Sequence, residues 1–297
     1  MSPPSAPDNG ADQPTGAQMP VSSPALRQCF AGLLLVATTV ACSKAPVTDR
    51  VQFNLIPDKL MDPLGASTYK DMLAAEDLEK GSRRHEVLRK VGKRISKVAQ
   101  KPNYKWRYSL IDDDKTVNAW CLPGGKIAFY TGILPVLESE AGMSFVMGHE
   151  VAHATARHGS ERLSQQLAVL GGLSALYLYM DGNTDISDDA KATIVGALGV
   201  GAQFGFVLPF SRKHEKEADI IGMMYMARAG YPPQESVQVW NRMAEAGGKN
   251  RMPVFLSTHP SHGQRKQNLR DWMPQAKKRY ERNKRTEDTT QVLWTKK

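Results

Sequence analysis

Gly148-His149-Glu150-Val151-Ala152-His153 is the stretch that decides how the rest of this chain is read. In a helix, residues four apart stand one turn apart on the same face. His149 and His153 so placed can grip one metal ion, and Glu150 sits beside the first imidazole, within reach of a water on that metal. Just before them come Ala141, Gly142, Met143, Phe145, Val146 and Met147, all small or apolar. They predict a buried helix over residues 140–166. The H-E-x-x-H pattern is short enough to arise by chance, so its weight depends on the surrounding chain.

A catalytic zinc takes three protein ligands and leaves one position for water. His158 is five residues beyond His153, and the spacing G-x-x-H after the second histidine fails because Ala156 and Gly159 stand in those places. A better candidate is Glu215, 62 positions after His153, near the start of a predicted helix that Ser211 can cap. Asp219 follows one turn later on the same face and could take the ring N–H of a ligand histidine. On the residues alone, an ordinary charged helix face accounts for this pair as well. Glu217 points about 200° away from Glu215 and is expected to be exposed.

Upstream, residues 104–111, 117–122 and 126–131 read as strands, the last two joined by Pro123-Gly124-Gly125. They predict a small antiparallel sheet. Its edge could pair with an extended peptide, or the two strands could form a plain hairpin. Residues 67–80, 82–100, 132–137, 211–230, 233–246 and 265–285 read as helices, with Val87, Val91, Ile95 and Val98 forming the apolar stripe of the second. Residues 252–262 read as a loop. Residues 167–210 read as an apolar helical hairpin that packs on the domain or dips into a membrane surface. The fold class expected is mainly α (α+β), a helical domain carrying one small sheet.

Hydrophobic residues make up 41% of 297, enough for a sizeable core, and the formal net charge is +9. The basic C-terminal helix lacks aromatic interleaving, so nucleic acid is not an expected partner. Residues 1–25 are rich in Pro, Ser, Ala and Gly and read as a disordered extension. Arg27, a short apolar run over 30–41 and Cys42 then read as an export segment with a lipid-modified Cys42, which would tether the chain to a membrane. The expected layout is export segment 1–42, extended tether 43–64, domain 65–285 and polar tail 286–297. With Cys29 and Cys42 so used, Cys121 stands alone and no internal disulfide is expected.

Three blocks together carry a family resemblance. They are Val117-Asn118-Ala119-Trp120-Cys121-Leu122-Pro123-Gly124-Gly125 with Tyr130-Thr131-Gly132; Gly148 to His153 with Arg157-His158; and Ser211-Arg212 leading to Glu215, Ala218, Asp219 and Gly222. The chain resembles the zinc metallopeptidases that include the CaaX prenyl endopeptidase, HtpX and the Oma-type proteases. In layout it is similar to bacterial periplasmic members such as BepA and LoiP.

The resemblance implies a zincin-type endopeptidase with one zinc per chain at His149, His153 and Glu215. It makes Glu150 the general base and Asp219 the outer carboxylate. It also makes Asn118, Ala119, Trp120, Pro123, Gly124 and Gly125 the substrate-pairing edge. Thr258-His259-Pro260 with Arg265 looks like the family's late motif, so His259 is a candidate extra ligand that gates the zinc. The place expected from the export segment and Cys42 is a periplasm-facing lipoprotein of the outer membrane, and the substrates expected there are misfolded or mis-assembled envelope proteins. A chaperone-like assembly factor with a closed site is the alternative function.

Overall fold

The computed structural model describes residues 42–183, 187–189, 211–246, 253–259 and 263–295. They fall in one compact unit, Ala41–Lys297. At its centre is helix α4, Glu140–Thr155, buried along nearly its whole length. Ser139 starts it by accepting a hydrogen bond from the Gly142 N–H, so one of the open donors of the first turn is satisfied. The small residues that follow let neighbours approach to backbone distance. Helix α6, Arg212–Arg228, crosses α4 at Gly148 and Gly222. A methyl group on Gly148 would lie 2.7 Å from the Gly222 carbonyl oxygen, and one on Gly222 would lie 2.7 Å from the His149 nitrogen. Neither glycine can take a side chain without driving the two helices apart.

Around this pair stand α1 (Asp58–Leu73), α2 (Arg83–Val98), α3 (Leu134–Leu137), α5 (His158–Asn183), α7 (Glu235–Ala246), α8 (Val254–Thr258) and α9 (Gly263–Glu281). Helix α2, capped by Ser82, turns Leu88, Val91 and Ile95 into the core, while Val87 and Val98 of the expected stripe are half-buried against it. Ser211 caps α6 by accepting from the His214 N–H. The main sheet has the order β3 (Leu78–Glu79), β4 (Arg107–Ile111), β6 (Lys126–Tyr130), β5 (Ala119–Leu122). It is mixed rather than purely antiparallel, because β6 inserts beside β4 and runs parallel to it. Strand β5, paired on one side only among the described residues, is the edge next to α4.

Several expectations change. The helix predicted over 140–166 is two helices, broken at Ala156-Arg157, where Arg157 takes φ of +55°. Residues 43–64 are not an extended tether. Strand β1 (Cys42–Lys44) pairs with β2 (Val51–Phe53), and α1 begins at Asp58, nine residues before the predicted start at 67. Pro57 marks the start of that helix, and Pro63 is carried inside it at the loss of one backbone bond. The polar tail is docked as well: the Ala141 N–H donates to the Thr289 carbonyl, and the Leu293 N–H to the Glu138 carbonyl. The loop over 252–262 contains the short helix α8. The second arm of the expected apolar hairpin, 194–210, and His262 lie outside the described residues. No described helix is long and apolar enough to cross a membrane.

Candidate metal centre

Four side chains meet beside the middle of α4. His149 and His153 come from one face of that helix, Glu215 from the first turn of α6, and His259 from the residue after α8. All four are buried, and one ligand atom from each lies within 4.8 Å of all the others. His149 Nε2 is 3.1 Å from His153 Nε2, 3.2 Å from His259 Nδ1 and 3.5 Å from a Glu215 oxygen. The other Glu215 oxygen is 3.4 Å from His153 Nε2 and 3.1 Å from His259 Nδ1. Ligands at 2.0–2.1 Å from a tetrahedral ion are about 3.3–3.4 Å apart along each edge. The separations to His149 Nε2 and to Glu215 are of that order, and the donor set of imidazoles and one carboxylate suits zinc.

The outer partners fix how these groups face. The His149 Nδ1–H donates to Asp219 at 3.0 Å, which leaves Nε2 as the lone pair turned inward. Asp219 accepts in turn from Arg265 Nε at 2.6 Å and Nη2 at 2.7 Å. Burial works against charge on Asp219, yet Arg265 and His149 hold its carboxyl below the usual range. Arg265 also forms an ion pair with Glu215 at 2.7 Å and lies 3.8 Å above the Trp240 ring.

Glu150 is buried, and burial pushes its carboxyl up to about 7. The Cys121 backbone beside it favours its charged form, which places the carboxylate next to the edge strand. The Asn118 carbonyl accepts from the Tyr130 N–H, so the backbone groups of Asn118 and Trp120 face β6. Those of Ala119 and Cys121 therefore face outward, toward the open edge and Glu150. Gly124 and Gly125 take φ of +75° and +76° in the turn that ends the strand. A cleft of about 150 Å³ lies beside it, lined by Tyr104, Cys121, Leu122, Pro123, His153 and Arg157 among others. A larger basic hollow of about 620 Å³ is lined by Arg94, Lys97, Arg228, Arg279, Arg282 and Arg285. At the helical rise it opens about 20 Å from Glu215 along α6 and has no part in this centre.

His149, Glu150, His153, Glu215, Asp219, His259 and Arg265 thus stand together here. One expectation fails. Glu217 is buried, because the hairpin of β1 and β2 covers the face it was expected to expose. It accepts from His158 Nε2 at 2.9 Å, from Arg50 Nε at 2.8 Å and from the Thr48 hydroxyl. His158, Glu217, Arg50, Glu161 and His214 form a second polar cluster that sequence reading missed. Its one visible signal was the number of histidines: five of the seven, at 149, 153, 158, 214 and 259, are linked ring to ring or through a carboxylate.

Comparison with known proteins agrees with this geometry. Peptidase family M48 matches residues 82–273. The mitochondrial metalloendopeptidase OMA1 of Schizosaccharomyces pombe is 33% identical over 257 residues, covering 84% of this chain and 70% of that one. OMA1 of Saccharomyces cerevisiae is 34% identical over 262 residues, covering 81% and 71%. The beta-barrel assembly-enhancing protease of Escherichia coli is 26% identical over 181 residues, covering 59% and 36%. The two yeast relatives are mitochondrial by name, which overturns the expected place as a periplasm-facing outer-membrane lipoprotein. Residues 1–41, on which the export reading rests, lie outside the described residues.

Proposed function

Because the chain belongs to peptidase family M48 and is a metalloendopeptidase, we propose that His149, His153 and Glu215 hold one zinc ion per chain and that Glu150 is the general base. When bound, zinc supplies Lewis acidity toward the scissile carbonyl and lowers the pKa of a water toward neutrality. Glu150 takes the proton of the attacking water and passes it to the leaving amine. A protein substrate lies extended along β5, bonded to the outward backbone groups of Ala119, with Pro123, Gly124 and Gly125 closing the end of the strand. Asp219 and Arg265 keep His149 in the tautomer that ligates.

The observation that carries this reading is the convergence of four buried ligand side chains within 4.8 Å of one another, beside the buried carboxylate of Glu150. Glu215→Ala tests it. Purified wild-type protein is expected to hold one zinc per chain by elemental analysis, and the variant to lose most of it along with cleavage of an unfolded protein. Unchanged zinc in the variant would remove Glu215 from the site.

His259 supports a second, regulatory reading. Its Nδ1 stands where a fourth ligand would stand, and its Nε2 is 3.4 Å from Glu150. The position that water needs for attack is filled by this ring, which is stacked on Phe255 at 4.6 Å. The arrangement corresponds to a shut site. His259→Ala is expected to keep zinc and cleave an unfolded protein faster than wild type. A slower variant with normal zinc would mean that His259 assists the reaction instead of blocking it.

A further inference from the structure

A histidine that ligates through Nε2 keeps its proton on Nδ1, and that proton needs an acceptor that also fixes the ring. Asp219 does this for His149. His153 has a different partner. Its Nδ1 lies 3.0 Å from His158 Nδ1, and both rings are buried. With His153 Nε2 turned to the ligand cluster, its Nδ1 carries the proton, so His158 Nδ1 must accept. The His158 proton then sits on Nε2, which donates to Glu217 at 2.9 Å. Arg50 holds Glu217 from behind and forks onto Glu161 at 2.7 and 2.8 Å. Glu161 accepts from His214 Nε2 at 3.0 Å, and the His214 ring stacks on His158 with centroids 4.4 Å apart. His214 directly precedes Glu215.

We propose that His158 is the positioning residue of the ligand His153, and that Arg50 of the N-terminal hairpin anchors it through Glu217. This rests on the reading of a zinc centre at His149, His153 and Glu215. Each bond in the series dictates the tautomer of the next, so the ring of His153 is aimed by a chain of contacts that ends in a cation on β1–β2. The backbone is built for this. In an unbroken helix, a residue five positions after His153 would stand about 140° around the axis from it. The positive φ at Arg157 ends α4 and turns His158 back onto His153. Arg50 also spans α5 and α6 through Glu161 and Glu217, so the hairpin clamps the two helix starts that flank the ligands.

The test is zinc affinity in the full-length folded protein, measured by competition with a chromophoric chelator, together with the visible spectrum of the cobalt-substituted form. His158→Leu removes the acceptor and is expected to weaken zinc about 10–100-fold, the usual size of an outer-partner loss, and to shift the cobalt bands. His158→Asn places an amide oxygen near the Nδ1 position and should bring affinity and spectrum back toward wild type. A part that only supports the fold would lower the melting temperature of both variants and leave zinc affinity and spectrum alone. If His158→Leu does not fold, Glu217→Gln keeps the shape while removing the charge behind His158. A several-fold weaker zinc then supports the proposal, and wild-type affinity overturns it. Wild-type protein that takes up no zinc would sink the zinc centre itself. Zinc held equally well by wild type and His158→Leu would sink only this relay.

Discussion

Glu150→Gln is expected to keep one zinc per chain and to lose about 10²–10⁴-fold in the rate of peptide cleavage, the usual share of a positioned acid–base group. The substitution changes little besides the proton chemistry. Glu150 is 2% exposed, and an amide of the same shape fills the same space. The Cys121 backbone that faces the carboxylate can face the amide oxygen as well, so the edge strand is left undisturbed. No ligand is touched, so zinc content should not move. What is lost is an oxygen able to hold a proton. Burial, the largest cause, pushes that carboxyl up to about 7 against the pull of His259 and Arg265, and a divalent cation bound nearby would lower it, keeping it ionised at neutral pH. Elemental analysis and the steady-state rate on an unfolded protein decide the matter. A variant that cleaves at the wild-type rate would remove Glu150 from the reaction.

Part of the centre was legible because it obeys helical spacing, while Glu215 as a ligand, His259 and Arg265 came from the resemblance. His149 and His153, like Glu215 and Asp219, are each one turn apart, and a four-residue interval survives any tertiary context. The edge strand was legible from an apolar run ended by Pro123-Gly124-Gly125. What stayed hidden depends on contacts distant in sequence. The parallel pairing of β4 with β6 leaves no periodic mark, and neither does a single positive φ at Arg157. Pro46, Pro57 and Pro63 suggested an extended leader, and that mistake carried a second with it. Once the hairpin was read as a tether, nothing remained to cover Glu217, whose burial follows from Arg50 on that hairpin. The resemblance drawn from the motifs held for fold and reaction class. It failed for location, because location was read from residues 1–42, outside the blocks that carry the resemblance.

Arg265→Met is expected to destabilise the metal-free protein by about 3–5 kcal/mol, the range for breaking a buried ion pair from one side. Arg265 is 3% exposed and serves two carboxylates at once, Asp219 through Nε and Nη2 and Glu215 through Nη1. A methionine can replace part of the packing against Trp240, but it leaves both acids buried without their shared cation. Bound zinc changes the balance. A divalent ion on Glu215 replaces part of the lost positive charge, and binding only to the folded state adds stability that grows with free metal. The loss measured by urea unfolding should therefore be larger in chelator than in excess zinc. Arg265→Lys should fall between, because an ammonium keeps the charge but cannot make the fork that bridges Asp219 and Glu215. If the methionine variant unfolds at the wild-type urea midpoint in chelator, Asp219 and Glu215 do not depend on this arginine. Loss of the same size with and without zinc would instead place the role of Arg265 in packing against Trp240, with the metal centre indifferent to its charge.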